Sequence, residues 1–232
     1  MRQKILTVIA IFLIGMAGGI FSSQFFLPYF NINQQEPGPV YLTETKQVYI
    51  QENVALVSAA EKAGKTVVGV KTQTQSGKIL EGSGLIVTSD GLMVTLAELV
   101  PFGSKFSFFV DDKTVSFQIL KRDLNENLAL VKISDSALAT SGFASLEKLK
   151  IGERVFLVGA VFEKETSSKL VNEGIVKAFD ENFIQTNIFE SYRLAGSPLF
   201  NIEGEILGIN TIDSTGKVNT IPVSKIRAFV GM

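Results

Sequence analysis

The sequence predicts an all-β fold behind an N-terminal apolar helix, with short helices flanking the β segments. Three observations predict it. From Thr66 onward, short runs rich in Val, Ile, Thr and Phe recur at regular spacing, punctuated by Gly and Asp. These runs fall into two series split near residue 140, which leaves two packed antiparallel barrels or a sandwich. Ahead of them the chain opens on "MRQKILTVIAIFLIGMAGGIFSSQFFLPYF", uncharged from Ile5 to Phe30.

Residues 1–30 read as a transmembrane anchor. About 20 apolar residues cross a bilayer core, and Ile5 to Phe21 with the aromatic flank beyond supplies that length. Arg2 and Lys4 belong on the cytoplasmic side by the positive-inside bias, which puts the rest of the chain outside the cytoplasm, in the cell envelope. A cleaved signal peptide is the rival reading, but no clear small-x-small cleavage site follows the apolar run. A buried core helix is the third. Residues 31–48 are polar, carry Pro37 and Pro39, and read as a linker.

The segment 49–140 begins with "QENVALVSAAEKAGK", a short helix stopped at Gly64. "TVVGVKTQT" is rich in β-branched residues and reads as the first strand. "SGLIVTSDGLMVTL" is two apolar runs around Ser89-Asp90-Gly91, a hairpin. "KFSFFVDDKTVSFQIL" repeats that design around Asp111-Asp112-Lys113, and "NLALVKIS" closes the first series. A polar connector leads into the second series over 141–232: "RVFLVGAV", "KLVNEGIVKAF", "FIQTNIF", "SPLFNIEGEILGINTI" and "VNTIPV". "SKIRAFV" ends the chain with helical character.

Composition removes several chemistries. The chain is 232 residues with net charge −1, and no basic stripe marks a nucleic-acid partner. It has no cysteine, which excludes disulfides and a thiol nucleophile. It has no histidine either, and so lacks the usual neutral-pH general base and the commonest metal ligand. Asp111, Asp112, Glu203 and Glu205 sit at turns where acidic residues are ordinary, so neither metal nor cofactor is expected. Phe106, Phe108 and Phe109 read mainly as alternating core residues rather than an aromatic groove.

Three blocks, "GSGLIVTSDGLMVTLAELV", "NENLALVKI" and "IQTNIFESYRLAGSPLFNIEGEILGINTI", together resemble the signature blocks of HtrA-type (Deg) trypsin-like serine proteases. The resemblance covers roughly residues 50 to 230. It implies a trypsin-like double β-barrel with a cleft between the barrels. Many relatives carry a PDZ domain, and none is expected in this chain.

Carried over residue by residue, the resemblance implies a degenerate site. The slot of the base histidine holds Glu98, that of the orienting aspartate holds Asn127, and that of the nucleophile holds Ala195. A methyl group cannot attack a carbonyl, and a carboxylate does not reproduce the imidazole proton shuttle. Arg193, Leu194, Gly196 and Ser197 make the vestigial oxyanion-hole loop, with Arg193 where relatives have a glycine. Ser197 reads as a small residue in that turn, and Ser83 likewise as a turn residue. Glu98 and Arg193 would both approach the cleft. Either they pair and plug it, with Asn127 nearby, or they are unrelated solvated side chains.

The expectation is therefore a membrane-anchored pseudoprotease acting as a peptide- or protein-binding or assembly module. An extended peptide can add to a strand edge without any triad, and HtrA-type relatives imply homo- or hetero-oligomers as partners. The alternatives are an active serine endopeptidase with non-classical residues and a purely structural subunit of a membrane complex.

Overall fold

The computed structural model describes residues 2–25, 54–135, 137–163 and 166–232. The expected linker at 31–48 lies outside the described residues. The chain divides into two compact units, residues 1–50 and 51–232.

In the first unit, α1 (Arg2–Phe25) is a 24-residue helix. Its described side chains are apolar on every side, and Ile5, Leu6, Ile9, Phe12 and Leu13 all lie open. Side chains are described contiguously only from Gln3 to Gly19. Among the described residues no helix is long and apolar enough to cross a membrane.

The second unit opens with a helix over 54–64, α2, after which the chain is almost entirely β. Seven strands form the first sheet: β1 (Val67–Gln73), β2 (Ile79–Ile86), β3 (Leu92–Leu96), β4 (Lys105–Val110), β5 (Lys113–Val115), β6 (Phe117–Asp123) and β7 (Leu128–Ile133). Their order is β5-β4-β1-β2-β3-β7-β6, so the two outermost strands are neighbours in the chain, separated only by Ser116. One bent segment thus pairs with β4 through its first half and with β7 through its second, curling the sheet into a half-barrel. The β4–β5 turn is tight because Asp111 and Asp112 both take positive φ, 45° and 63°. That is the two-residue hairpin geometry which matches strand twist, and Asp is among the few residues that tolerate it.

The second half is a closed six-stranded barrel of order β10-β13-β12-β11-β8-β9. Its strands are β8 (Arg154–Glu163), β9 (Thr166–Phe179), β10 (Ile184–Phe189), β11 (Pro198–Asn201), β12 (Ile206–Ile212) and β13 (Lys217–Pro222). Closure satisfies every edge but leaves short strand ends at the rim. The chain ends in α3 (Val223–Val230), capped by Gly231 in the left-handed conformation with its N–H on the Arg227 carbonyl.

One hydrophobic cluster runs through both halves. Val68, Leu85 and Leu99 from the half-barrel pack into the same core as Phe156, Val158, Ala195, Phe200 and Ile209 from the closed barrel. Phe156 and Phe200 stack at 5.3 Å between ring centres, both fully buried. A second cluster, with Leu157, Leu194, Leu199 and Leu207, fills the closed barrel. Each large buried side chain contributes about 2 kcal/mol, so the two halves meet as a welded core. The loops that the sequence singles out are mounted on that joint.

Candidate functional site

Three short segments carry the residues in the triad slots. The 3-10 turn Ala97–Leu99 follows β3 and presents Glu98 outward between buried Ala97 and Leu99. The β6–β7 turn ends on Asn127, which takes φ 52°. A second 3-10 turn, Tyr192–Leu194, leads into Ala195.

Asn127 holds the first turn by three hydrogen bonds. Its carbonyl accepts from the Ala97 N–H at 3.1 Å and its Oδ1 from the Glu98 N–H at 3.0 Å. Its Nδ2 donates to Glu98 Oε1 at 3.0 Å. Positive φ is affordable here because asparagine visits the left-handed region more readily than most residues. An aspartate at 127 would have no proton to give the carboxylate facing it. The two side chains are complementary: an amide donor on one loop faces a carboxylate acceptor on the other.

The expected pairing of Glu98 with Arg193 does not form. Arg193 Nε donates to Glu81 Oε2 at 2.7 Å, and its Nη2 to the Phe162 carbonyl at 2.5 Å. Arg193 is thereby clamped onto β2 and β8 and turned away from Glu98. It keeps a negative φ, so standing in a glycine slot strains nothing. The group that does lie beside Glu98 is the Tyr192 phenol. Partial burial first, and then the nearby Glu98 carboxylate, push that phenol up to about 12. The Arg193 pairing is absent but the Asn127 contact expected with it is present: Glu98 is exposed, bonded to Asn127 and beside Tyr192. Tyr192 carried no signal in the sequence beyond its place beside the nucleophile slot.

The turn around Ala195 is closed on itself. Ala195 is fully buried, and its N–H donates to the Tyr192 carbonyl at 2.9 Å. The Leu194 N–H is bonded to the Ser191 carbonyl and the Ser197 N–H to the Leu194 carbonyl. An oxyanion hole needs backbone N–H groups free and converging on an incoming oxygen, and the amide of Ala195 is engaged inside its own loop. Gly196 takes φ 79°, and a Cβ there would lie 2.2 Å from the Ser83 carbonyl oxygen. Leu194 is buried against Gly159. Of the loop residues only Arg193 reaches solvent.

Both candidate serines are buried and committed. Ser197 Oγ accepts from Asn210 Nδ2 at 3.1 Å, and Asn210 Oδ1 accepts from Thr220 Oγ1 at 2.6 Å. Ser83 lies within β2 rather than in a turn, and its Oγ accepts from the Ala160 N–H at 2.8 Å. It binds the two barrels together. The carboxylates are likewise committed: Asp112 accepts from the N–H and hydroxyl of Ser167 on β9, and Glu205 from Asn201 Nδ2. Phe108 is buried, Phe106 packs on Phe117 and Phe109 on Phe162.

Beside this turn the closed barrel leaves an open rim. The Asn210 N–H bonds to the Ser197 carbonyl and the Gly196 N–H to the Asn210 carbonyl, so Asn210 faces β11. The Asp213 N–H bonds the other way, to Lys217. Because backbone groups alternate along a strand, the N–H and C=O of Ile212 point to the side of Ala195, past the end of β11 at Pro198. No described strand pairs there. This edge was not visible in the sequence, since it depends on where β11 begins.

A separate groove of ≈ 550 Å³ lies between α2 and the β8–β9 pair, lined by Leu56, Val57, Val158 and Val171 with Lys169 at its edge. Lys169 Nζ bonds to the Val67 carbonyl. Enclosure of its ammonium pulls it down to about 8, against the opposing pull of Asp111 and Asp112.

Residues 82–209 match the family model of the trypsin-like peptidase domain. Serine protease HTRA1 of Xenopus laevis is 33% identical over 164 residues, covering 64% of this chain and 35% of that protein. A probable periplasmic serine endoprotease, DegP-like, of Pseudomonas putida is 32% identical over 139 residues, covering 56% of this chain and 28% of that protein. The chain thus spans about a third of the length of the curated relatives it matches.

Proposed function

Because the chain belongs to the trypsin-like peptidase family, in its HtrA-type branch, we propose that it is a non-catalytic member which holds an extended segment of a protein partner. The observation that carries this reading is the pairing of a buried Ala195, its amide bonded to Tyr192, with an open strand edge at Ile212 next to it. The slot for bond breaking holds a methyl, and Glu98 and Asn127 are locked to one another. The means of holding a peptide, backbone groups at a strand edge, needs none of those side chains.

The same reading sets the domain outside the cytoplasm on a membrane anchor. In support, α1 is a 24-residue helix whose sequence carries no charge from Ile5 to Phe21. Its apolar residues are not gathered on one face, as a helix packed on a globular surface would have them. Arg2 and Lys4 precede the apolar run, and one relative is described as periplasmic.

The test is fluorescence anisotropy with the full chain in detergent and a panel of labelled unstructured decapeptides. Binding to a subset is expected. N-methylation of the bound peptide is expected to weaken binding about threefold to tenfold at alternate backbone positions and little between them, since only every second amide faces the protein. Absence of binding across the panel overturns the proposal.

A further inference from the structure

Glu98 is an exposed carboxylate beside the turn that carries Ala195, and no charged partner faces it among the described residues. The groups that face it, the Asn127 amide that donates to its Oε1 and the Tyr192 phenol beside it, are both uncharged. Cations on the adjoining segments are directed elsewhere. Arg193 is on Glu81 and Phe162. Arg122 donates to the Val100 carbonyl and lies over the Phe102 ring at 4.4 Å. Lys225 is paired with Glu126 at 2.7 Å. Among the described residues Glu98 has no ion pair, although four others of the chain's acidic side chains do.

We infer that the segment held in this cleft is one that presents a basic side chain, arginine above all, to Glu98. The inference rests on the peptide-holding reading above and names the chemistry of its ligand. The cation is an organic one: among the described residues no group of three or more acidic side chains gathers to hold a metal. A carboxylate oriented by neutral donors beside a partly exposed aromatic ring is a receptor for a guanidinium, which bonds the acid through its edge and stacks on the ring through its face. The position is within reach. Tyr192 connects Glu98 to the Ala195 amide, and Gly196 connects that turn to Asn210, two residues from the open edge at Ile212. Arg193 in the slot of a smaller residue does not repel such a ligand, because its charge is already matched by Glu81, a half-buried partner only 18% exposed.

The experiment uses decapeptides differing only at the central residue, with Arg, Lys, citrulline, norleucine or Glu, measured against the full chain and two variants. For the parent chain, Arg and Lys peptides are expected to bind about threefold to tenfold tighter than citrulline and norleucine ones, the range of a partly exposed ion pair. That preference is expected to shrink as salt is raised. Glu98→Gln keeps an acceptor for Asn127 and Tyr192, and is expected to bring the Arg-to-citrulline ratio close to one. Glu98→Lys is expected to favour the Glu peptide. Peptide binding with no preference for the basic residue, or a preference that Glu98→Gln leaves intact, overturns this inference and leaves the peptide-holding reading standing. No binding of any peptide overturns both.

Discussion

Asn127 and Glu98 are bonded to each other twice, backbone to side chain and side chain to side chain, each at 3.0 Å. The pair ties the loop after β3 to the β6–β7 turn. The two side chains are a matched donor and acceptor, and matched pairs respond to mutation jointly.

Asn127→Asp should therefore be worse than its near-identical size suggests. It removes the Nδ2 donor and sets two carboxylates against each other at a site 29 residues apart in sequence. The expected loss is about 1–2 kcal/mol of unfolding free energy, read by urea denaturation. Adding Glu98→Gln should recover most of it, because a glutamine amide can donate to the new carboxylate. A double variant no more stable than Asn127→Asp alone would show the pair to be uncoupled.

Tyr192 offers a spectroscopic handle on the same cluster. Its phenol is pushed up to about 12 from an ordinary 10.0, first by partial burial and then by Glu98. A folded-state value raised above the unfolded one contributes stability below pH 10, and that contribution fades between pH 10 and 12. Absorbance titration near 295 nm should show one late-ionising tyrosine among the chain's four. The late step should vanish in Tyr192→Phe and move to lower pH in Glu98→Gln. An ordinary titration in the parent chain would refute the contact.

Lys169 gives the opposite slope in a neighbouring window. Its ammonium bonds to the Val67 carbonyl, and desolvation there lowers its folded value to about 8 from 10.5, although the residue as a whole is exposed. The folded state disfavours the charged form, so stability should rise as pH goes from about 8 to about 10.5. Lys169→Met should flatten that rise in a pH series of thermal melts. An identical slope in both proteins would mean the ammonium is solvated after all.

Much of this architecture was legible in the residues because local chemistry and tertiary role agree. Asp111-Asp112 between two β-branched runs can only turn tightly, and it does. That Ala195 would lie in a tight turn was legible from its flanking Gly196 and Pro198, and Gly196 takes φ 79° there. What escaped depends on contacts between distant segments. Arg193 and Glu81 lie 112 residues apart, and nothing in either neighbourhood marks the other. Ser83, between two glycines, reads as a turn, yet it lies in β2 because Gly82 and Gly84 are there to let Leu99, Ala195 and Met93 approach the strand. The open edge at Ile212 follows from β11 beginning only at Pro198, a boundary that no residue pattern sets.

The central claim is that this cleft holds a peptide without cutting it. The most direct measurement is a mass-spectrometric time course of a bound decapeptide with the purified full chain, alongside a Ser197→Ala variant. The account predicts that the peptide stays intact and bound over days in both samples. Repeated turnover by the parent chain that disappears in Ser197→Ala would contradict it.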